Sequence, residues 1–187
     1  MLRRGEEIIL ADVSGVEQWA GERWRRRFDL PDPEAERQRT PRLDVAQAVE
    51  ISGPPGVVWE LIGAPENRPR LDSRCVQGFT VKGTPRGAVG ERQCFIHQGR
   101  DGTLSSHFIE VVEVVPGQRL VTTPVPGSRS RRTTMVAGSA TRSILVVSVT
   151  GEAQSWESVG RMTPAVVAQL RAYVDRVKVV IEELGRS

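Results

Sequence analysis

The chain contains only two histidines, His97 and His107, and they flank an Asp101-Gly102 turn signal between two strand-like runs. A hairpin reversing there brings those strands side by side, and imidazole titrates near neutrality, so the pair could relay a proton as acid and base. Both positions also lie near strand ends, where a histidine can simply face solvent. Glu110 offers a second group of this kind. In Phe108-Ile109-Glu110-Val111-Val112, alternation puts Phe108, Glu110 and Val112 on one strand face and Ile109 and Val111 on the other. If the Phe108 face is concave, Glu110 is a carboxylate in an apolar pocket, the setting in which carboxylic acids act as general acids or bases; if the other face is inside, Glu110 is solvated. Arg92, on the preceding strand, could pair with Glu110 or hold an anionic ligand through its planar fork. An exposed strand arginine is the alternative.

Trp59, Phe79, Phe95, Phe108 and Tyr173, with Leu170 and Val174 beside the last, supply the flat and apolar surface that would line a cavity for a hydrophobic or aromatic ligand. The same residues serve equally as core packing. Tyr173 is the only tyrosine, and its hydroxyl could donate to a bound carbonyl if its side of the helix faces a cavity. Arg129, Arg131 and Arg132 follow a Pro126-Gly127-Ser128 turn, either at a pocket mouth or on a charged loop tip. No Walker loop, dinucleotide fingerprint or nucleophile elbow is present. Cys75 and Cys94 are the only cysteines, too few for a disulfide scaffold and without zinc-ligand spacing. The expectation is therefore two reduced thiols, no cofactor and no metal.

The elements that must position these residues begin after residue 42. Residues 43–51 read as a strand; Ser52-Gly53-Pro54-Pro55 then offers a cap and helix-starting prolines before Val57, Val58, Trp59, Leu61 and Ile62. Strand-like runs follow near 76–84, 89–98, 105–115, 118–125, 130–137 and 142–152, each bounded by glycine, proline or Asp-Gly signals, which implies an antiparallel meander. Thr163-Pro164 then opens a helix to Leu184, on which Val167, Leu170, Val174, Val177, Ile181 and Leu184 recur at spacings of three and four; Gly185 ends it. Residues 1–42 differ in texture: they hold nine arginines and nine acidic residues and end in a proline-rich linker. Val16, Ala20, Trp24 and Phe28 predict a helix near 14–28, with Arg23, Arg25, Arg26 and Arg27 around Trp24. Two domains are expected, a charged N-terminal arm and linker over 1–42 and a ligand-binding domain over 43–187.

At 187 residues, with 39% hydrophobic and 26% charged residues, the chain suits one core plus an extension. Its opening is acidic where a secretory signal would be apolar, and no stretch has the length of a membrane span, so the expected compartment is the cytoplasm. Net charge is +3, and arginine supplies 24 of the 26 basic residues. Acidic residues balance the Trp24 segment and no helix-turn-helix or zinc-finger pattern occurs, so no nucleic-acid partner is expected. A long edge strand or the arm could support a homodimer.

The order strand, short helix over Pro55-Gly56-Val57-Val58-Trp59-Glu60-Leu61-Ile62, six further strands and a long closing amphipathic helix resembles the START-like, or SRPBCC, superfamily. The polyketide cyclase/dehydrase and lipid-transport family looks closest. Residues 49–62, the Gly87-Ala88-Val89-Gly90-Glu91-Arg92 run and residues 107–121 carry the likeness, which spans about 43–185. The resemblance implies an α+β helix-grip fold, a curved antiparallel sheet of about seven strands around a C-terminal helix, with a cavity for hydrophobic or aromatic molecules. Members of the superfamily cyclise or dehydrate polyketides, hydrolyse, or only bind and carry, so the fold alone does not choose. The implied roles are a cofactor-free cyclase or dehydratase in secondary metabolism, a non-catalytic carrier, or a ligand sensor that uses the N-terminal arm as an interaction module.

Overall fold

The computed structural model describes residues 10–11 and 40–185. Its strands are β1 (Leu10–Ala11), β2 (Arg42–Ile51), β3 (Cys75–Thr80), β4 (Arg92–Gln98), β5 (Leu104–Val115), β6 (Arg119–Val125), β7 (Arg131–Gly138) and β8 (Ser143–Glu152). They form one antiparallel sheet in the order β1-β2-β8-β7-β6-β5-β4-β3. Strands β3 to β8 are the expected meander, and β2 joins its far edge by pairing with β8 along its whole length, from Arg42 opposite Glu152 to Ile51 opposite Ser143. The two-residue β1 extends that edge, a pairing with no counterpart in the sequence reading. The expected helix near 14–28 lies outside the described residues.

Between β2 and β3 the chain forms α1 (Pro55–Gly63), a 3₁₀ turn (Pro65–Asn67) and the short α2 (Arg68–Leu71). The first helix starts where the tandem prolines allow, with Pro55 in the first turn, where no amide donor is needed. It buries Val58 and Leu61. The long helix α3 runs over Trp156–Leu184, not from Thr163. Ser155 is its cap, accepting from the Ser158 amide at 3.1 Å, and Pro164 sits inside the helix, where Thr163 Oγ1 donates back to the Val159 carbonyl at 2.8 Å. The first two turns are largely exposed: Trp156 and Met162 face solvent, and Val159 alone of their apolar side chains packs against the core.

The core lies between α3 and the β2–β8–β7 part of the sheet. Leu170, Val174, Val177 and Ile181 recur every four and three residues on α3 and bury against Leu43, Val45, Leu145 and Val147. Fully burying side chains of this size stabilises a fold by about 1.5–3 kcal/mol each, which fixes α3 across one half of the sheet. Over the other half, β4 to β6 curve away from the helix. Register breaks between Val111 and Glu113 and between Cys75 and Gln77 put bulges in β5 and β3, and bulges bend the strands that carry them. The 81–91 loop is held by Glu91, a buried carboxylate that accepts from Thr80 Oγ1 and the Gly87 amide, both at 2.7 Å. No helix among the described residues is long and apolar enough to cross a membrane.

Candidate functional site

Curvature leaves a cavity of about 240 Å³ between the concave sheet face and the helices. Ile62, Leu71, Phe95, Ile109, Leu120 and Val149 give it apolar walls, and Gln93, Thr122 and Thr134, all buried, add polar groups from the strands. Tyr173 on α3 and Arg132 on β7 close one end with Arg68 of α2. The position of Arg68 depends on a glycine. A Cβ at Gly78 in β3 would stand 2.1 Å from the Pro65 carbonyl oxygen, so only glycine lets the 3₁₀ turn rest on the strand and deliver Arg68 above it.

Both guanidinium groups lie over the Tyr173 ring, their central carbons 4.8 Å (Arg68) and 4.2 Å (Arg132) from its centroid. Arg68 Nε and Arg132 Nη2 are buried without a hydrogen-bond partner, and no carboxylate among the described residues is within ion-pair distance of either side chain. Burial pulls the Arg132 guanidinium down to about 10, with the Arg68 charge acting the same way and Tyr173 and Asp72 opposing it. It is still a cation at neutral pH. Two unit charges at most about 9 Å apart repel by about 2 kcal/mol at an effective dielectric constant near 20, so this arrangement is held against its own electrostatics by packing on Tyr173. A larger groove of about 450 Å³ lies on the other side of the same wall, lined by Arg70, Arg74 and Arg176 as well as Arg68, Arg132 and Tyr173.

A second polar line runs from the cavity through the histidines. The His107 ring stands against Phe95 at 5.4 Å and stacks on His97 at 4.7 Å, and His97 Nε2 is 3.4 Å from Asp72 Oδ2. Strand register explains the stack: Phe95 is opposite His107 and His97 opposite Ser105, which makes the histidines diagonal neighbours on the concave face. Burial pushes His107 below the ordinary histidine range, the charges of His97 and Arg68 add to this, and Asp72 opposes it. Burial also works against ionisation of Asp72, but the Arg74 amide hydrogen bond and the charges of Arg68, His97 and Arg74 outweigh it and hold that carboxyl low.

His107 therefore takes up its proton less readily in the folded chain than in the unfolded one. As pH falls through about 6.5, the unfolded state gains the proton first, so this stability, intact above about 6.5, is lost between there and the lower folded value. His107→Gln is expected to flatten the fall in melting temperature between about pH 7 and pH 5. A thermal-shift series showing the same slope for both proteins would mean that the fold does not hold His107 neutral.

No family model and no curated protein matches the sequence. Solved structures do match. The di-domain ARO/CYC StfQ from the steffimycin biosynthetic pathway aligns at 12% identity with a TM-score of 0.64, over 94% of this chain and 62% of its own. Ginseng major latex-like protein 151 from Panax ginseng aligns at 16% identity and 0.61, over 75% of this chain and 98% of its own. Protein NE0264 from Nitrosomonas europaea gives 11% and 0.63, over 78% and 97%. The chain has the helix-grip fold, which these solved structures share. At these identities the likeness is one of fold.

Within this helix-grip domain the expected site residues separate into three groups. Phe95, Tyr173 and His107 line the cavity, and His97 stands behind His107. Glu110 and Arg92 do not face it: β5 turns Ile109 inward, so Glu110 points to the convex side and pairs with Arg92, the residue opposite, at 2.9 Å. Phe108 and Phe79 share that outer face, aligned through Cys94, and Phe108 is exposed. Leu170 and Val174 belong to the core between α3 and the β2–β8–β7 part of the sheet, Trp59 packs against it, and none of the three lines the cavity. Of the 129–132 arginine cluster, Arg132 turns inward while Arg129 pairs with Glu152 at the surface. Arg68, Gln93, Thr122 and Thr134 were not anticipated. The available signal for the last three was polar residues at inward positions of otherwise apolar strands.

Proposed function

We propose that this protein binds a small hydrophobic or aromatic, polyketide-like molecule in the cavity between the concave sheet face and α3. The cavity carries this reading: it is apolar on most sides with a few convergent polar groups, the composition of small-molecule sites. An apolar cavity of about 150 Å³ accepts benzene, so about 240 Å³ suits one or two rings. The likeness to StfQ supports the same class. The corresponding setting is cytoplasmic secondary metabolism.

The His107–His97–Asp72 line favours a second, catalytic reading, cofactor-free cyclisation or dehydration. In a dehydration, neutral His107 would take the proton beside a ketone and return it to the departing β-hydroxyl as water leaves and the double bond forms. A carrier would need the cavity but not the histidine. Native mass spectrometry of the purified protein, followed by extraction, is expected to show a ring compound bound at one per chain. His107→Gln should keep that compound if the protein is a carrier and accumulate an unconverted precursor if it is an enzyme. A protein that is empty as purified and takes up no one- or two-ring compound would end the reading. The expected Trp24 helix of the N-terminal arm, on which a sensor or interaction role would rest, lies outside the described residues.

A further inference from the structure

We infer that the ligand is an organic anion, a one- or two-ring carboxylic acid whose ring fills the cavity and whose carboxylate is received by Arg68 and Arg132. The inference rests on the pocket reading above and names the ligand's charge. Three observations carry it. Arg68 Nε and Arg132 Nη2 are buried donors with no acceptor, and native proteins seldom leave such groups unmet. Two like charges share one aromatic ring with no carboxylate paired to either side chain among the described residues. Both arginines line the cavity and the outer groove alike, so an acceptor entering from either space reaches guanidinium donors.

A carboxylate fits this seat better than a neutral carbonyl, because it removes the charge imbalance and accepts from both forks at once. The outer groove adds Arg70, Arg74 and Arg176, with Asp72 its one carboxylate, so its net positive field draws anions toward the wall. The rings of His97 and His107 lie on the β4–β5 side, leaving the ligand's uncharged end within reach of His107.

The test is isothermal titration of the full chain with naphthalene-2-carboxylate and with its neutral isostere, naphthalene-2-carboxamide. The acid is expected to bind at least tenfold more tightly than the amide at neutral pH, an advantage that shrinks with added salt. In Arg132→Met, and separately in Arg68→Met, the acid should lose that advantage while amide affinity stays within about threefold, which also shows that the variant is folded. The ligand-free Arg132→Met protein should melt no lower than wild type, since an unpaired buried charge has been removed. Equal affinity for acid and amide in wild type, or an unchanged acid advantage in both variants, would overturn the anion seat and leave the pocket standing. Failure of both probes to bind would overturn the pocket reading, and the anion seat with it.

Discussion

Alanine at Gly78 is expected to destabilise the protein by roughly 3 kcal/mol or more and to weaken binding at the cavity by displacing Arg68. The added Cβ would stand 2.1 Å from the Pro65 carbonyl oxygen, 2.9 Å from its carbonyl carbon and 3.0 Å from Phe95 Cδ1. Two of these three atoms are backbone, so no rotamer change relieves the overlap. Either β3 withdraws and loses the pairing of Gly78 with Phe95, or the 3₁₀ turn lifts and carries Arg68 with it. Gly56 in α1 provides the control: its Cβ would meet nothing, so Gly56→Ala should be neutral or stabilising by up to about 1 kcal/mol. Urea denaturation decides, and a Gly78→Ala protein within 1 kcal/mol of wild type, by the size of effect expected for overpacking, would mean that the turn yields freely.

Tyr173→Ala should cost about 3–5 kcal/mol, the range for removing a large buried aromatic side chain, whereas Tyr173→Phe should stay within about 1 kcal/mol of wild type. Tyr173 is 7% exposed, belongs to the core and carries both guanidinium groups on its ring. Alanine removes the packing and also the π-face that partly offsets the repulsion between the arginines. Phenylalanine keeps both and deletes only the hydroxyl. Equal denaturation midpoints for the two variants would show that the ring is not what supports this wall.

The helix-grip architecture was legible because its elements declare themselves by local period. Leu170, Val174, Val177 and Ile181 mark one helix face, and residues 43–51 alternate toward the core. Boundaries failed where the buried pattern thinned: Ser155 caps a start of α3 on which Trp156 and Met162 are exposed, and Pro164, read as a first-turn residue, is tolerated inside the helix. Strand β3 ends at Thr80 because the Glu91 carboxylate organises the next residues as a loop.

The site was less legible for a different reason. Phe108-Ile109-Glu110-Val111 is apolar on both faces, so alternation identified two sets without saying which is concave, and curvature from distant pairings made that choice. The two histidines could be brought together from the turn between them, since that contact is local. Arg68 could not, because its place depends on Pro65 resting on Gly78 across a long-range contact. Glycine within Val76-Gln77-Gly78-Phe79 was the one local hint of a backbone passing close above.

The most direct test is amide and side-chain NMR of the full chain titrated with naphthalene-2-carboxylate. Shifts should concentrate on Gln93, Phe95, Ile109, Thr122, Thr134 and the Arg132 side chain, the surfaces that face the cavity. Shifts confined to Phe79, Phe108 and Glu110 on the convex face, or none at saturating probe, would contradict a ligand held between the sheet and α3.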